Sequence, residues 1–198
     1  MLKKGFFILI IFNFSVCHAQ EDSITKLPKG NHNLKLSYLS SIIYPGVSTG
    51  IEFSVRNAIY KQIIKDRFIS ANLNWYHHPD FHDNVYLTAE WEMRRTNKNG
   101  IISGFSIGPG VSRTFLGGTT YRISDSGVAS VEKLAGYYYA MITISGGFGI
   151  DLYEKKNIPF LAIAKMNIIS MFPYNSTIYF RPVLELGIRY LPWKVKKN

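Results

Sequence analysis

The sequence predicts an all-β protein, an eight-stranded antiparallel up-and-down transmembrane β-barrel. From Ile178 to Tyr190 apolar and polar residues alternate, and a side-chain period of two indicates a β-strand. Similar alternating runs recur about eight times along the chain. They follow an N-terminal segment with the composition of a secretion signal. Apolar residues spread over alternate positions, rather than gathered in long runs, are typical of a membrane barrel.

The N-terminal segment is the first element of the chain. Lys3 and Lys4 form a basic start, and the stretch 6–14 is apolar but too short to span a membrane as a helix. Small residues then precede Gln20, where a signal peptidase would cleave. Residues 1–19 are therefore predicted to be a signal peptide.

Cleavage at this point removes Cys17, the only cysteine of the chain. Disulfide and thiolate chemistry are then excluded in the mature protein. The alternative is a lipoprotein anchored through Cys17, although the residues before it match that signal poorly. The remainder divides into a periplasmic N-terminal segment 20–32, the barrel 33–193 and a basic C-terminal tail 194–198.

The eight predicted strands share one pattern, with apolar residues on one face and polar or small residues on the other. They cover residues 33–43, 47–57, 67–77, 84–95, 100–113, 137–152, 158–171 and 178–190. The connections 96–100 and 154–157 are short and polar, whereas 114–136 is long and has no clear period. A barrel with an even number of strands keeps its short turns in the periplasm and its longer loops outside. Counting the strands from the N-terminus places 96–100 and 154–157 in the periplasm and 114–136 outside, in agreement with their lengths.

The last strand carries a further pattern. Glu185, Gly187 and Tyr190 have the spacing of an assembly signal found in outer-membrane barrels, although Pro192 stands where an aromatic residue is expected. The chain resembles the small eight-stranded outer-membrane barrels of Gram-negative bacteria, of the OmpX and OmpA-barrel type, over residues 33–193. The resemblance implies location in the cell outer membrane, contact with lipopolysaccharide and inner-leaflet phospholipid, and insertion by the barrel-assembly machinery. We expect a monomer without a cofactor or a nucleic-acid partner.

The polar face of the strands predicts the contents of the lumen. Eight strands enclose room for side chains or for one small ligand. Acidic and basic residues on this face nearly balance, which predicts an ion-pair network that plugs the lumen, because unpaired buried charge is costly. The predicted network comprises Lys35, Glu52, Arg56, Glu90, Glu92, Arg94, Asp151, Lys165, Arg181, Glu185 and Arg189. The alternatives are acid–base chemistry by Glu90 and Glu92, and a cavity or narrow channel lined by the inward glycines and serines.

The connection from His77 to Asp83 is the densest local cluster of potential ligands. Imidazole and carboxylate groups bind zinc or copper, so the candidate metal ligands are His77, His78, His82 and Asp83. The spacing matches no recognised motif, and adjacent histidines point to opposite faces if the strand continues through them. The alternative is a polar loop beside the lipid headgroups.

Two rings of side chains are expected at the rims of the barrel. Basic residues near the periplasmic rim could pair with anionic headgroups. They are Arg56, Lys61, Lys65, Arg67, Arg94, Arg95, Lys98, Lys155, Lys156, Lys194, Lys196 and Lys197. Interfacial aromatic residues are expected at Tyr44, Trp75, Phe81, Tyr121, Phe172 and Tyr174.

These features favour a structural or surface-binding role through extracellular loops. The competing hypothesis is a lipid-modifying enzyme, an acyl hydrolase or transferase. It would use the His77–Asp83 connection or the inward carboxylates. Pro109 and Pro182 motivate a lateral path for lipid, since proline removes a hydrogen-bond donor from a strand; the alternative is a kink or bulge in the barrel. A soluble lipocalin-like barrel remains a third hypothesis, because alternation alone does not say which face is inside.

Overall fold

A computed structural model describes residues 32–41, 44–60, 63–79, 81–174 and 177–194. The predicted signal peptide 1–19, nearly all of the segment 20–32 and the end of the C-terminal tail lie outside these described residues. Within them, no helix combines the length and the apolar character needed to cross a membrane.

The described chain consists mainly of long strands. They are β1 (His32–Ser41), β2 (Tyr44–Tyr60), β3 (Ile63–His78), β4 (His82–Thr96), β5 (Ile101–Leu116), β6 (Thr120–Ile123), β7 (Ala129–Glu132), β8 (Tyr138–Asp151), β9 (Phe160–Tyr174) and β10 (Thr177–Tyr190). A short helix α1 (Leu152–Lys156) joins β8 to β9, and a 3₁₀ turn (Pro192–Lys194) follows β10.

Eight of the described strands close into one antiparallel barrel. The order around it is β1, β10, β9, β8, β5, β4, β3 and β2, and β1 closes it by pairing with β10 from Leu34↔Tyr190 to Ser40↔Leu184. The predicted all-β, eight-stranded antiparallel fold is therefore confirmed. We call the end with the connections 61–62, 97–100 and 152–159 the turn end. The loop end carries the connections 42–43, 79–81, 117–137 and 175–176.

The alternation separates an apolar outer face from a polar interior. On β1, Leu36 is 54% exposed, whereas its neighbours Lys35 and Ser37 are buried. The other seven barrel strands repeat this arrangement, with outward apolar residues such as Ile69 and Val111. Charged side chains lie inside and large apolar side chains outside, so the lipocalin-like hypothesis is excluded.

One predicted lumen residue faces outward. The pairing of β2 with β3 shifts register between Ser54 and Arg56, and Arg56 is exposed. An extra residue in one strand inverts the faces beyond it, so the prediction that Arg56 belongs to the interior network is wrong. The sequence pattern continues smoothly through this bulge and gives no sign of it.

The connections are more ordered than the sequence predicts. Within 114–136, β5 continues to Leu116 and β6 pairs with β7 as a separate hairpin. The predicted turn 154–157 lies in α1 and its C-cap. Asp151 caps this helix by accepting hydrogen bonds from the backbone N–H groups of Tyr153 and Glu154, and Asn157 ends it in the left-handed conformation.

Candidate functional site: the lumen and the loop-end cavity

A network of buried ion pairs fills the middle of the lumen. Glu52 on β2 accepts hydrogen bonds from Arg94 on β4 and from Arg189 on β10. It also accepts one from the side chain of Asn33, at 3.1 Å. Each guanidinium therefore has a carboxylate partner, as burial of a charge requires.

Further ion pairs extend this network across the barrel. Lys165 on β9 lies 3.0 Å from Glu92 on β4, and β8 and β5 separate these two strands. Glu92 also pairs with Arg94 at 2.8 Å. Glu185 pairs with Lys35 at 2.9 Å. It also pairs at 3.4 Å with Arg189, which in turn contacts Glu52.

Most of the charged residues predicted for the lumen join one ion-pair network, and three do not. Among the described residues, those that share these contacts are Lys35, Glu52, Glu90, Glu92, Arg94, Lys165, Glu185 and Arg189. Arg94 was also expected at the periplasmic rim, and its burial in the lumen corrects that expectation. Asp151 is buried but caps α1 and pairs with Lys194 instead. Arg181 is buried at the other end of the lumen, and Arg56 lies outside.

Glu90 and Glu92 do not form the free carboxylate pair that acid–base chemistry needs. The two oxygens of Glu92 bind Arg94 and Lys165 respectively. Glu90 accepts hydrogen bonds from Ser106 and Asn72. Carboxylates held in this way act as structural acceptors.

The inward glycines and serines of β5 and β8 make room for the ion pairs. A Cβ on Gly147 would lie 2.7 Å from the Lys165 side chain. Ser106 hydrogen-bonds Ser145 and also lies 3.4 Å from the Lys165 ammonium. Small residues here accommodate the long side chain that crosses the lumen.

Apolar clusters flank the charged layer, and the sequence analysis did not predict them. Toward the turn end, Leu191 and residues of β5 and β9 pack together, among them Ile102 and Leu161. Toward the loop end, Met171 packs with Tyr76 and Tyr86. Strand β9 carries apolar residues on both faces, so its period-two signal does not reveal which of them point inward.

A cavity of about 380 Å³ opens above the second apolar cluster at the loop end. Its lining consists mainly of aromatic side chains and one cation: Tyr44, Tyr76, His78, Phe81, His82, Thr114, Leu116, Tyr137, Tyr139, Met171, Tyr174, Tyr179 and Arg181. Tyr44 and Tyr174 were expected among the interfacial aromatics, but both line this cavity. Trp75, Phe81 and Phe172 are exposed.

Arg181 lies at the inner side of this cavity. Its side chain is buried, and its Nε donates a hydrogen bond to the Ser41 hydroxyl at 3.0 Å. Its guanidinium carbon lies 3.4 Å from the centre of the Tyr76 ring and 5.4 Å from that of Tyr44. These contacts are cation–π interactions.

The four candidate metal ligands separate into two pairs. His77 and Asp83 contact each other at 2.7 Å and are about half exposed. His78 and His82 lie beside each other, with ring centroids 5.3 Å apart, and both line the cavity. Strands β3 and β4 continue through these positions, so adjacent residues face opposite sides. Within the described part of the chain, no group of three or more potential ligands is placed to hold a metal ion.

Pro109 coincides with an interruption in the hydrogen-bonded pairing of β4 with β5, although the two backbones remain close there. Strands β4 and β5 pair at Thr88↔Gly110 and again at Trp91↔Ile107, but not between. An open groove of about 660 Å³ lies on the outer face beside this gap and includes Ala71 and Ala89 in its lining. Pro182, in contrast, lies within continuous pairing of β9 with β10.

No family model matches the chain, and no curated protein sequence is similar to it. Among solved structures, the outer membrane enzyme PagL superposes with a TM-score of 0.50 at 10% identity, over 80% of this chain and 99% of PagL. Neisserial surface protein A gives 0.45 at 10% identity, over 82% and 95% of the two chains. Ail, the attachment invasion locus protein of Yersinia pestis, gives 0.46 at 8% identity, over 82% and 99%. At these identities the likeness is one of fold alone. The fold is that of a small outer-membrane β-barrel, as the strand pattern predicts.

Proposed function

We propose that the protein is an integral outer-membrane barrel with a plugged lumen, and that its loop end faces the exterior and binds ligands at the cell surface. The loop-end cavity is the observation that carries this proposal. It opens on the side of the longest connection, 117–137, and the ion-pair network lies beneath it. A concave site with aromatic walls and a few polar groups is the usual form of a ligand site.

The outer face supports insertion in a membrane. Large apolar side chains such as Leu36, Leu73 and Ile144 are exposed around the barrel. A continuous exposed apolar surface is rare in water-soluble monomers, and hydrocarbon is the solvent that suits it.

Cysteine labelling tests this location and orientation. Ser126 lies in the β6–β7 hairpin at the loop end and Asn99 in a turn at the opposite end, and both are exposed. We expect a membrane-impermeant maleimide to label Ser126→Cys in intact cells and to label Asn99→Cys only after the outer membrane is permeabilised. The reverse pattern would invert the orientation, and equal labelling in a soluble fraction would contradict the membrane location.

The plugged lumen is tested separately. Ion pairs such as Lys165–Glu92 reach across the barrel, and opening a path would separate buried charges. We expect no conductance steps from purified protein in planar bilayers. Reproducible steps would contradict the plug without affecting the membrane location.

A basic patch on the outer face supports contact with phospholipid headgroups at the inner leaflet. Near the turn end Arg56 lies directly across from Arg67, and Lys65 across from Arg95. All four are exposed. Like charges on directly opposed residues destabilise a sheet, and an anionic headgroup between Arg56 and Arg67 would reduce that repulsion.

Lipid retention tests this contact. We expect the double variant Arg56→Gln/Arg95→Gln to retain less phosphatidylglycerol after detergent exchange, measured by mass spectrometry. Arg122→Gln/Lys133→Gln removes the same charge at the loop end and serves as the control. Equal retention by both variants would contradict the proposed contact.

Lipid modification is a second candidate function, and the gap beside Pro109 is the observation in its favour. The outer groove beside this interruption has a mainly apolar lining that would suit an acyl chain. Release of labelled fatty acid from lipopolysaccharide by the reconstituted protein would support it. Absence of release at high enzyme concentration would exclude it.

A further inference from the structure

We propose that the loop-end cavity binds a sugar that carries a phosphate or carboxylate group, and that Arg181 binds the anionic group. This inference rests on the proposed surface-binding function and names the ligand class. Three observations support it: Arg181 is buried without an ion pair among the described residues, the cavity lining has no described carboxylate, and the cavity walls are aromatic.

Arg181 differs from the other buried cations of the lumen. Lys35, Lys165 and both other buried arginines each contact a glutamate. Arg181 is only 4% exposed, yet among the residues that the structure describes it makes no ion pair. Its Nε donates a hydrogen bond to the Ser41 hydroxyl, and the guanidinium group otherwise contacts tyrosines, Tyr76 above all, and faces the cavity.

A buried cation without a counter-ion is unfavourable, because burial removes its hydration. Cation–π contact with Tyr76 compensates only in part. Guanidinium presents five N–H donors in a planar fork that matches phosphate and carboxylate oxygens. An anion entering the cavity would therefore supply the partner that the described residues do not.

The lining of the cavity favours an anion for a second reason. Its described residues include one arginine and two histidines but no aspartate or glutamate. Asp83, at the start of β4, is engaged by His77 on the outer face. No described carboxylate of the lining would repel an anionic ligand.

The walls favour a sugar as the remainder of the ligand. Tyr139, Tyr174 and Tyr179 form a row of rings with centroid distances of 5.4 and 4.8 Å. Ring faces cover the apolar face of a sugar, while phenol hydroxyl groups donate and accept hydrogen bonds. The volume of about 380 Å³ lies near the lower end of the range of small-ligand sites and suits one or two rings.

Isothermal titration calorimetry of the full chain in detergent tests the inference, with glucose 1-phosphate, glucose and inorganic phosphate as probes. We expect saturable binding of glucose 1-phosphate that is at least about tenfold tighter than that of either other probe, as a charged hydrogen bond contributes. Arg181→Gln should weaken it by at least about tenfold. Arg113→Gln, whose guanidinium lies over Tyr138 and Phe115, should leave it unchanged.

A second variant guards against failure of Arg181→Gln to fold. Tyr179→Ala should weaken binding of glucose 1-phosphate while leaving the weak binding of inorganic phosphate unchanged. Equal affinity for glucose and glucose 1-phosphate, or wild-type affinity in folded Arg181→Gln, would overturn the inference. No binding of any probe would overturn it as well, while the cysteine labelling tests the membrane location and the outward orientation of the loop end independently.

Competition separates the two sources of such a sugar. Displacement of glucose 1-phosphate by lipopolysaccharide in nanodiscs would identify the phosphorylated sugars of the membrane as the ligand. Displacement by free sugar phosphates alone would identify a soluble ligand. Both results agree with the same chemistry at Arg181.

Discussion

Single residues determine how closely neighbouring strands approach. Gly108 faces the lumen on β5, beside the interruption at Pro109. A Cβ at this position would lie 1.9 Å from the carbonyl oxygen of Ala89 and 2.6 Å from the Cα of Glu90. Both are backbone atoms, so a side chain here requires the strands to separate.

We therefore expect Gly108→Ala to destabilise the barrel by about 1–3 kcal/mol, as overpacking does in a filled interior. The measurement is the temperature at which the compact band is lost on a semi-native gel. Gly118→Ala is the control, because a Cβ there meets no atom within 4 Å. An equal shift in both variants would show that close approach at Gly108 is not the cause.

Glu52 forms ion pairs with two buried guanidinium groups, those of Arg94 and Arg189. We expect Glu52→Gln to cost about 3–5 kcal/mol in the free energy of unfolding, because it removes one of the four buried carboxylates and leaves one of the four buried cations of the network uncompensated. Glu132→Gln breaks the exposed ion pair with Arg122 and should cost about 0–1 kcal/mol. Urea titrations in lipid vesicles measure both, and equal costs would contradict a tightly held lumen network.

At the scale of elements, each strand has one lipid-facing and one lumen-facing side, and the connections differ in how firmly they join the barrel. Strands β6 and β7 pair only with each other among the described strands. Between the barrel and this hairpin, the backbone N–H groups of Thr114 and Leu116 donate hydrogen bonds to the carbonyl oxygens of Tyr137 and Ala135, respectively. These bonds extend the barrel wall, and the hairpin itself adds no strand to it.

Replacement of residues 120–132 by a short Gly-Ser linker should therefore leave the heat stability of the barrel unchanged. The expected difference in unfolding free energy is below about 0.5 kcal/mol, as for surface changes away from packed groups. Replacement of 97–100 is the comparison, since Gly100 accepts a hydrogen bond from Asp151 and is in the left-handed conformation. A large loss on removing the hairpin would indicate that it packs onto the barrel.

At the scale of the whole molecule, closure by β1 and β10 leaves no open edge in the barrel. Apart from the interruption beside Pro109, each barrel strand then pairs with a neighbour on both sides, as hydrocarbon requires of a spanning strand. We expect unheated protein from the membrane fraction to migrate as a compact, detergent-resistant species that shifts on boiling.

Truncation tests the role of closure. Removal of residues 177–198 deletes β10 and should abolish the compact species, because β1 and β9 would each expose an unpaired edge. Removal of 195–198 alone should preserve it. A compact, heat-modifiable species without β10 would contradict closure as the source of this behaviour.

The sequence by itself determined the number of barrel strands, their antiparallel order and the side-chain alternation, since side-chain period, turn composition and strand count are local properties. It also indicated most of the buried charges, from Lys35 to Arg189. It could not determine which of those charges meet. Ion pairs such as Lys165–Glu92 depend on strands far apart in sequence but opposed across the lumen.

Only the tertiary structure placed Arg56 outside, Asp151 on a helix and Arg181 beneath an aromatic cavity. A bulge, a cap and a closed ring of strands each change the surroundings of a side chain without changing the local alternation. Arg181 has the same pattern in sequence as Arg189, which lies eight residues later on the same face. Closure gives Arg189 a glutamate partner and gives Arg181 the loop-end cavity.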